Sequence, residues 1–160
     1  MSDFSIKYYL YKLNGDYNMI DSIDFRIIEI LLKEGDLSFS ELARRLDLSE
    51  STVRKRIEKL KKNNVIKKFT IIVDPFKLGF NSIAIIGIDV DPPQLLNVSK
   101  KLSELQEAKN VFICTGDHMI LAEIWAKDGN HLSKIISEKI GVIEGVKKVC
   151  PSIILERLKF

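Results

Sequence analysis

Ser49, Ser51 and Thr52 stand close together, and Arg54 and Lys55 follow at once. Small hydroxyl residues in the first turn of a helix let its free N–H groups and positive dipole end come close to a phosphate. A guanidinium or ammonium group just beyond can reach base edges, and Arg is the commonest bidentate partner of guanine. Arg44, Arg45, Arg56, Lys59, Lys61, Lys62, Lys67 and Lys68 lie around this group and suit phosphate clamps, which position without specifying. The chemistry on offer is recognition of double-stranded DNA. The candidate contact set is Ser38, Arg44, Ser49, Ser51, Thr52, Arg54, Lys55, Arg56 and Lys59. Each has a plainer role open to it. Ser49 is also a helix cap, Arg56 could pair with Glu41 or another acid inside the domain, and Lys61 and Lys62 could simply be solvated.

The charge distribution sharpens this. The chain of 160 residues carries a net charge of +3. Residues 1–37 hold four Lys/Arg and seven Asp/Glu, residues 38–70 hold ten against four, and residues 71–160 hold eleven of each. The whole positive excess therefore sits in one segment, the electrostatic footprint of a polyanion partner. A solvated lysine-rich helix face would give the same count.

Three helices must present these residues. Asp21 reads as the N-cap of the first, with Ile20 and Phe25 at the positions of a hydrophobic staple. Ile23, Ile27, Ile30 and Leu31 recur at helical spacing, and Gly35 suits the position after the end. Ser38 opens a short second helix, and Glu41 stands at capping-box distance from it. Asp47 and Leu48 make the connection. The third helix is expected over residues 50–63, with Val53, Ile57 and Leu60 inward and Asn64 as a left-handed cap. Two short capped helices joined by a tight turn form a helix-turn-helix, whose second helix enters the major groove. Residues 1–19 form an extension of no sustained period, with Asn14-Gly15 as a turn signal.

At 46% apolar and 29% charged residues, the composition is that of a globular chain. No stretch approaches the roughly 20 apolar residues of a membrane-spanning helix, and no signal peptide is visible, so a cytoplasmic protein is expected. Cys114 and Cys150 form no C-x-x-C pair and read as half-buried strand residues. With His118 near Cys114 there are at most two ligands, short of a structural zinc's four, so no metal or other cofactor is expected.

The C-terminal half alternates differently. Residues 68–73 form a β-branched run, expected to be a linker strand, within a linker of residues 68–80. Strands are expected over 82–90, 111–115, from His118 or Met119 to 126, and over 146–158. A helix follows the first strand after Asp91-Pro92-Pro93, and another centres on Leu132, Ile135, Ile136 and Ile140. Pro151 implies an edge position, a bulge or a non-bonding side for the last strand. The order β-α-β-β-α-β is ferredoxin-like. The fold class is thus α+β, a winged-type helix-turn-helix domain over 20–67 and a ferredoxin-like domain over 81–160. Ile83, Ile85, Ile113, Ile120, Ile124 and Ile154 offer more apolar surface than two helices can bury, which implies a homodimer through the sheet.

These residues resemble the Lrp/AsnC, or feast/famine, transcription regulators from about Ile20 to Lys159. The resemblance rests on Ile20-Asp21-Ser22-Ile23-Asp24, Glu41-Leu42-Ala43, Leu48-Ser49-Glu50-Ser51-Thr52-Val53, Arg56-Ile57 and Leu60, then Val65-Ile66, Thr115-Gly116-Asp117-His118 and Gly145-Val146. It implies a sequence-specific DNA-binding regulator, a dimer able to assemble into tetramers or octamers. It also implies a small-molecule effector, commonly an amino acid, at the turn of Thr115, Gly116, Asp117, His118 and Met119. Met119 stands where the family usually has an Asp that helps hold the effector's ammonium. Asp117 could substitute, or the effector could be different or absent. Asn64 replaces the usual Gly, and residues 1–19 have no counterpart. The alternative is a sirohaem-decarboxylase-like enzyme on the same fold, with His118 or His131 as its acid or ligand; the basic segment has no use there. A protein–protein module that assembles into rings is the third reading.

Overall fold

Local capping decides where the first three helices begin. In the computed structural model, which describes residues 20–159, α1 spans Ser22–Lys33, α2 Phe39–Leu46 and α3 Glu50–Lys62. The readings placed on residues 1–19 lie outside the described residues. Asp21 Oδ1 accepts the N–H groups of Ile23 and Asp24, each at 2.9 Å, and Asp24 Oδ2 accepts the Asp21 N–H at 3.2 Å. The first helix thus opens on a reciprocal capping box, beyond the single cap expected. Ser38 Oγ accepts the Glu41 N–H at 3.1 Å, but the return bond expected from Glu41 is not made. Two arginines take that carboxylate instead. Gly35 follows α1 without the left-handed backbone of a glycine cap, whereas Asp47 (φ 54°) and Asn64 (φ 57°) do adopt it. Ile27, Leu42, Leu46, Val53, Ile57 and Leu60 close a buried core among the three helices. Among the described residues this unit contains no strand.

The chain divides between Ile71 and Ile72 into two compact units. Residues 68–73 do not form the linker strand expected, for no residue from 67 to 74 has a ladder partner among the described residues. β-branched residues favour a strand only where there is an edge to pair with and a surface to pack on. Ile71 and Ile72 are correspondingly exposed.

In the second unit β1 (Ser82–Val90), β2 (Ala108–Ile113), β3 (Ile120–Ala126) and β4 (Val146–Ile153) form one sheet in the order β2-β3-β1-β4. Every neighbouring pair is antiparallel. Helix α4 (Leu95–Ser103) connects β1 to β2, and α5 (Gly129–Lys134) continues as a wider π-turn, Ile135–Ile140, before β4. Ala84, Ile86 and Ile88 face Ile124, Ala122 and Ile120 across the β1–β3 ladder and pack with Val98, Leu102 and Ile135. Of the six isoleucines counted as more than two helices can bury, Ile120 and Ile124 are fully covered on the helix-bearing face. Ile113 pairs with Ile120 and shares that side. Ile83, Ile85, Gly87 and Asp89 alternate onto the other face, with Leu121, Glu123 and Trp125 beside them on β3. Pro151 sits on edge strand β4, opposite Ile86. That strand ends at Ile153, short of the residue 158 expected.

Candidate nucleic-acid interface and effector turn

Helix α3 buries one stripe and exposes the rest. Val53, Ile57 and Leu60 are at most 1% exposed, so the intervening polar residues are carried on the outer arc. At its start the Ser49 hydroxyl lies 3.0 Å from Ser51 Oγ and 2.7 Å from Thr52 Oγ1, and it accepts the Thr52 N–H at 3.2 Å. The first turn is a compact cluster of hydroxyls around a helix N-terminus. Arg54 is half-exposed. Its Nη2 donates to Glu50 Oε1 at 3.0 Å, and its guanidinium carbon sits 4.9 Å from the centre of the Phe39 ring. Lys55 and Lys59 are exposed and make no ion pair among the described residues.

The other basic residues divide. Arg44 forms a bidentate pair with Glu41, at 2.7 and 3.0 Å, yet stays largely exposed. Arg45 bridges Glu41 at 3.1 Å and Glu34 at 2.7 and 2.8 Å. Hydrogen bonds from Arg44, and then from Arg45, pull the Glu41 carboxyl down to about 2. Lys61 covers the Phe69 ring, with Nζ 4.8 Å from its centre. Arg56, grouped with the phosphate clamps on sequence, turns inward. Its Nη1 donates to Asp21 Oδ2 at 2.6 Å and to Asp24 Oδ1 at 2.7 Å. Asp24 is fully buried, and an unpaired carboxylate there would be costly. Ser38 caps α2 and is exposed.

In the second unit Thr115, Gly116 (φ 125°) and Asp117 are exposed in the turn between β2 and β3. The Met119 carbonyl accepts the Cys114 N–H at 2.9 Å, and its side chain packs against the core. His118 leaves the turn on the helix-free face. Its Nδ1 lies 3.1 Å from Asp89 Oδ1, and its ring covers Gly87 so closely that a Cβ there would meet Cδ2 at 2.1 Å. The sequence reading ran the strand back to His118 or Met119; the turn takes both.

Residues 20–67 match the family model described as winged helix-turn-helix DNA-binding, and residues 83–160 match the Lrp/AsnC ligand binding domain. The chain is 48% identical over 141 residues to the HTH-type transcriptional regulator LrpA of Pyrococcus horikoshii, covering 88% of this chain and all of that one. It belongs to the Lrp/AsnC family of transcriptional regulators. LrpA1 of Halobacterium salinarum is 39% identical over 87% of this chain and 98% of its own. Among solved structures, E. coli AsnC superposes with a TM-score of 0.76 at 26% identity, over 88% of this chain and 95% of the other. A Neisseria meningitidis transcriptional regulator in complex with L-methionine shares the fold, with a TM-score of 0.78 at 21% identity, over 88% of this chain and 93% of the other. This Lrp/AsnC chain is a DNA-binding regulator joined to a ligand-binding domain. These relatives are regulators, and none of them supports the enzyme alternative.

Three features of this Lrp/AsnC chain escaped the sequence reading. Phe39, which packs partly against the core and carries Arg54 over its ring, was not singled out. Asp24 was not singled out, although its spacing of three from an N-cap aspartate is a capping-box signal. Glu123 is nearly buried on the helix-free face, where Asn110 Nδ2 donates at 2.7 Å, Trp125 Nε1 at 2.9 Å, and Arg157 completes the set. Burial alone would raise its carboxyl, but these donors outweigh that and leave it lowered.

Proposed function

We propose that α3 is the recognition helix and lies in the major groove. On this reading Ser49, Ser51 and Thr52 approach the duplex, Arg54 and Lys55 read base edges, and Ser38, Arg44 and Lys59 contact phosphates. The observation that carries it is the pairing of a hydroxyl-lined, capped N-terminus with an exposed basic arc, over a fully buried Val53–Ile57–Leu60 stripe. Arg54 is already held between Glu50 and Phe39, so less side-chain freedom is lost on contact. Arg56 is omitted from the contact set because both of its partners lie within the domain.

The test is selection of bound sequences from a random duplex pool, followed by binding measurements across salt. A palindrome with half-sites about one or more helical turns apart is expected. Arg54→Ala and Lys55→Ala should weaken binding to the selected site far more than Lys147→Ala or Lys148→Ala. Equal effects from all four substitutions would remove the assignment.

The second unit is proposed to dimerise through its helix-free sheet face and to bind an amino acid at Thr115, Gly116, Asp117, His118 and Met119. Support for dimerisation comes from Phe112, Leu155 and Leu158, which are all exposed, and a second copy is the simplest cover for apolar side chains. Support for the ligand comes from the domain match and from the L-methionine complex of the Neisseria regulator. Asp117 is the proposed partner of the ammonium, because Met119 has no charge and is committed to the core. A thermal-shift screen of the amino acids, repeated on Asp117→Asn, tests this; a ligand response that survives the substitution removes Asp117 from the role. No helix among the described residues is long and apolar enough to cross a membrane, which is compatible with the cytoplasmic location proposed.

A further inference from the structure

Between the opening of α1 and the middle of α3, one guanidinium meets two carboxylates. Each carboxylate divides its oxygens between two tasks. Asp21 uses Oδ1 to cap α1 and Oδ2 to receive Arg56; Asp24 uses Oδ2 to close the capping box and Oδ1 to receive Arg56. All four oxygens are therefore engaged, and the same atoms that fix the start of α1 also hold α3. Asp24 has no exposure to water, Arg56 is about one-quarter exposed and Asp21 about half exposed, so the Asp24 limb of the clasp is screened less than a surface ion pair.

The position of Arg56 on α3 gives the clasp leverage. It lies on the flank between the buried stripe and the exposed arc, immediately after Arg54 and Lys55. The apolar stripe resists separation of the helices but is non-directional, and hydrogen bonds to fixed oxygens resist rotation. With side chains, a helix has a radius of about 5–6 Å, so a rotation of about 10° moves its outer side-chain atoms by about 1 Å. That is enough to spoil a bidentate contact with a base edge.

We propose that Arg56 is a positioning residue: by clasping Asp21 and Asp24 it sets the rotation of α3 about its own axis, and so aims Arg54 and Lys55. It does not touch the DNA. The proposal rests on α3 being the recognition helix.

The experiment uses the full chain and measures affinity for its selected site and for a random duplex of equal length, across salt and below the melting temperature of every variant. The variants are Arg56→Gln, Arg56→Lys, Asp24→Asn, the double variant Asp24→Asn with Arg56→Gln, and Lys55→Ala. Arg56→Gln should cut the ratio of specific to random affinity by about tenfold, within the worth of one base-reading pair. The slope of log affinity against log salt should not change, because no phosphate contact is lost. Asp24→Asn should reproduce the loss, and the double variant should be no worse than the more harmful single one. Arg56→Lys should recover part of the ratio, and it carries the test if Arg56→Gln does not fold.

Three results overturn the clasp. One is equal weakening on both duplexes with a shallower salt slope, which makes Arg56 a phosphate contact. Another is a lowered melting temperature with an unchanged ratio, which makes the clasp merely structural. The third is a normal ratio for Arg56→Gln while Lys55→Ala is defective. If Lys55→Ala also binds normally, the recognition-helix reading fails with it, and the two failures are told apart.

Discussion

Replacing Gly87 with alanine adds one carbon where there is no room for it. The new Cβ would lie 2.1 Å from His118 Cδ2 and 2.5 Å from Cγ, whereas ordinary contact begins near 3.4 Å. The backbone has little freedom to yield, because β1 is paired on both sides, with β3 and with β4. The ring must retreat by more than 1 Å and give up its 3.1 Å approach to Asp89. Overpacking of this kind costs about 1–3 kcal/mol, to which the partly exposed Asp89 contact adds no more than about 1. A loss of about 2 kcal/mol should lower the melting temperature by roughly 8–16 °C for a domain of this size. Thermal unfolding at fixed protein concentration measures the loss, and the His118 ring resonances report the displacement. His118→Ala in the Gly87→Ala background should restore most of the stability, since it removes the obstruction. A variant with the parental melting temperature and unmoved His118 resonances would refute the reasoning.

Ile57→Ala opens a void beneath α3, where Ile57 is 1% exposed, and should cost about 2–5 kcal/mol in denaturant unfolding. Asn64→Gly removes the left-handed strain at φ 57° and should hold or raise stability, whereas Asn64→Val should lower it by about 1–2 kcal/mol. The reverse order in melting temperatures would show that the Asn64 side chain matters more than its backbone. Asp21, Glu34 and Glu41 are all held below their ordinary values, chiefly by hydrogen bonds from Arg56, Arg45 and Arg44 respectively. Depressed carboxyls stabilise the fold fully above their unfolded values and cease to do so as pH falls through the folded ones. Helix stability should therefore be insensitive to these groups above pH 4.5 and decline towards about 2. Circular dichroism in denaturant across that range would show it, and a flat profile would exclude the contribution.

What was legible in the sequence was local. Asp21, Ser38, Ser49 and Asn64 announce helix ends because a cap needs only its own next few residues. The strand and helix order was legible for the same reason. Facing was harder, because side chains alternate and an error in where a strand starts reverses every assignment. The start of β3 was set at His118 or Met119, although the strand begins at Ile120, and the isoleucines were counted together without being divided between the two faces. Residues 68–73 look like a strand by type, yet pairing requires an edge that a propensity does not supply. For Arg56 the sequence left a phosphate contact and a pairing with an acid inside the domain both open, and it did not name the acids. Those partners lie 32 and 35 positions away, and a count of basic residues is blind to acids brought in by folding. Glu41 was assigned to a capping box by spacing alone, and two nearby guanidiniums outcompeted a single backbone N–H.

Pro151 carries a consequence of its own. A proline at the margin of a sheet leaves a missing rung, since it has no hydrogen to offer an incoming strand. Fibre growth edge to edge past β4 would stall at that gap, a safeguard for a chain with oily side chains on display. Whatever way copies of the regulator associate, the sheet is thereby a poor template for an endless ribbon.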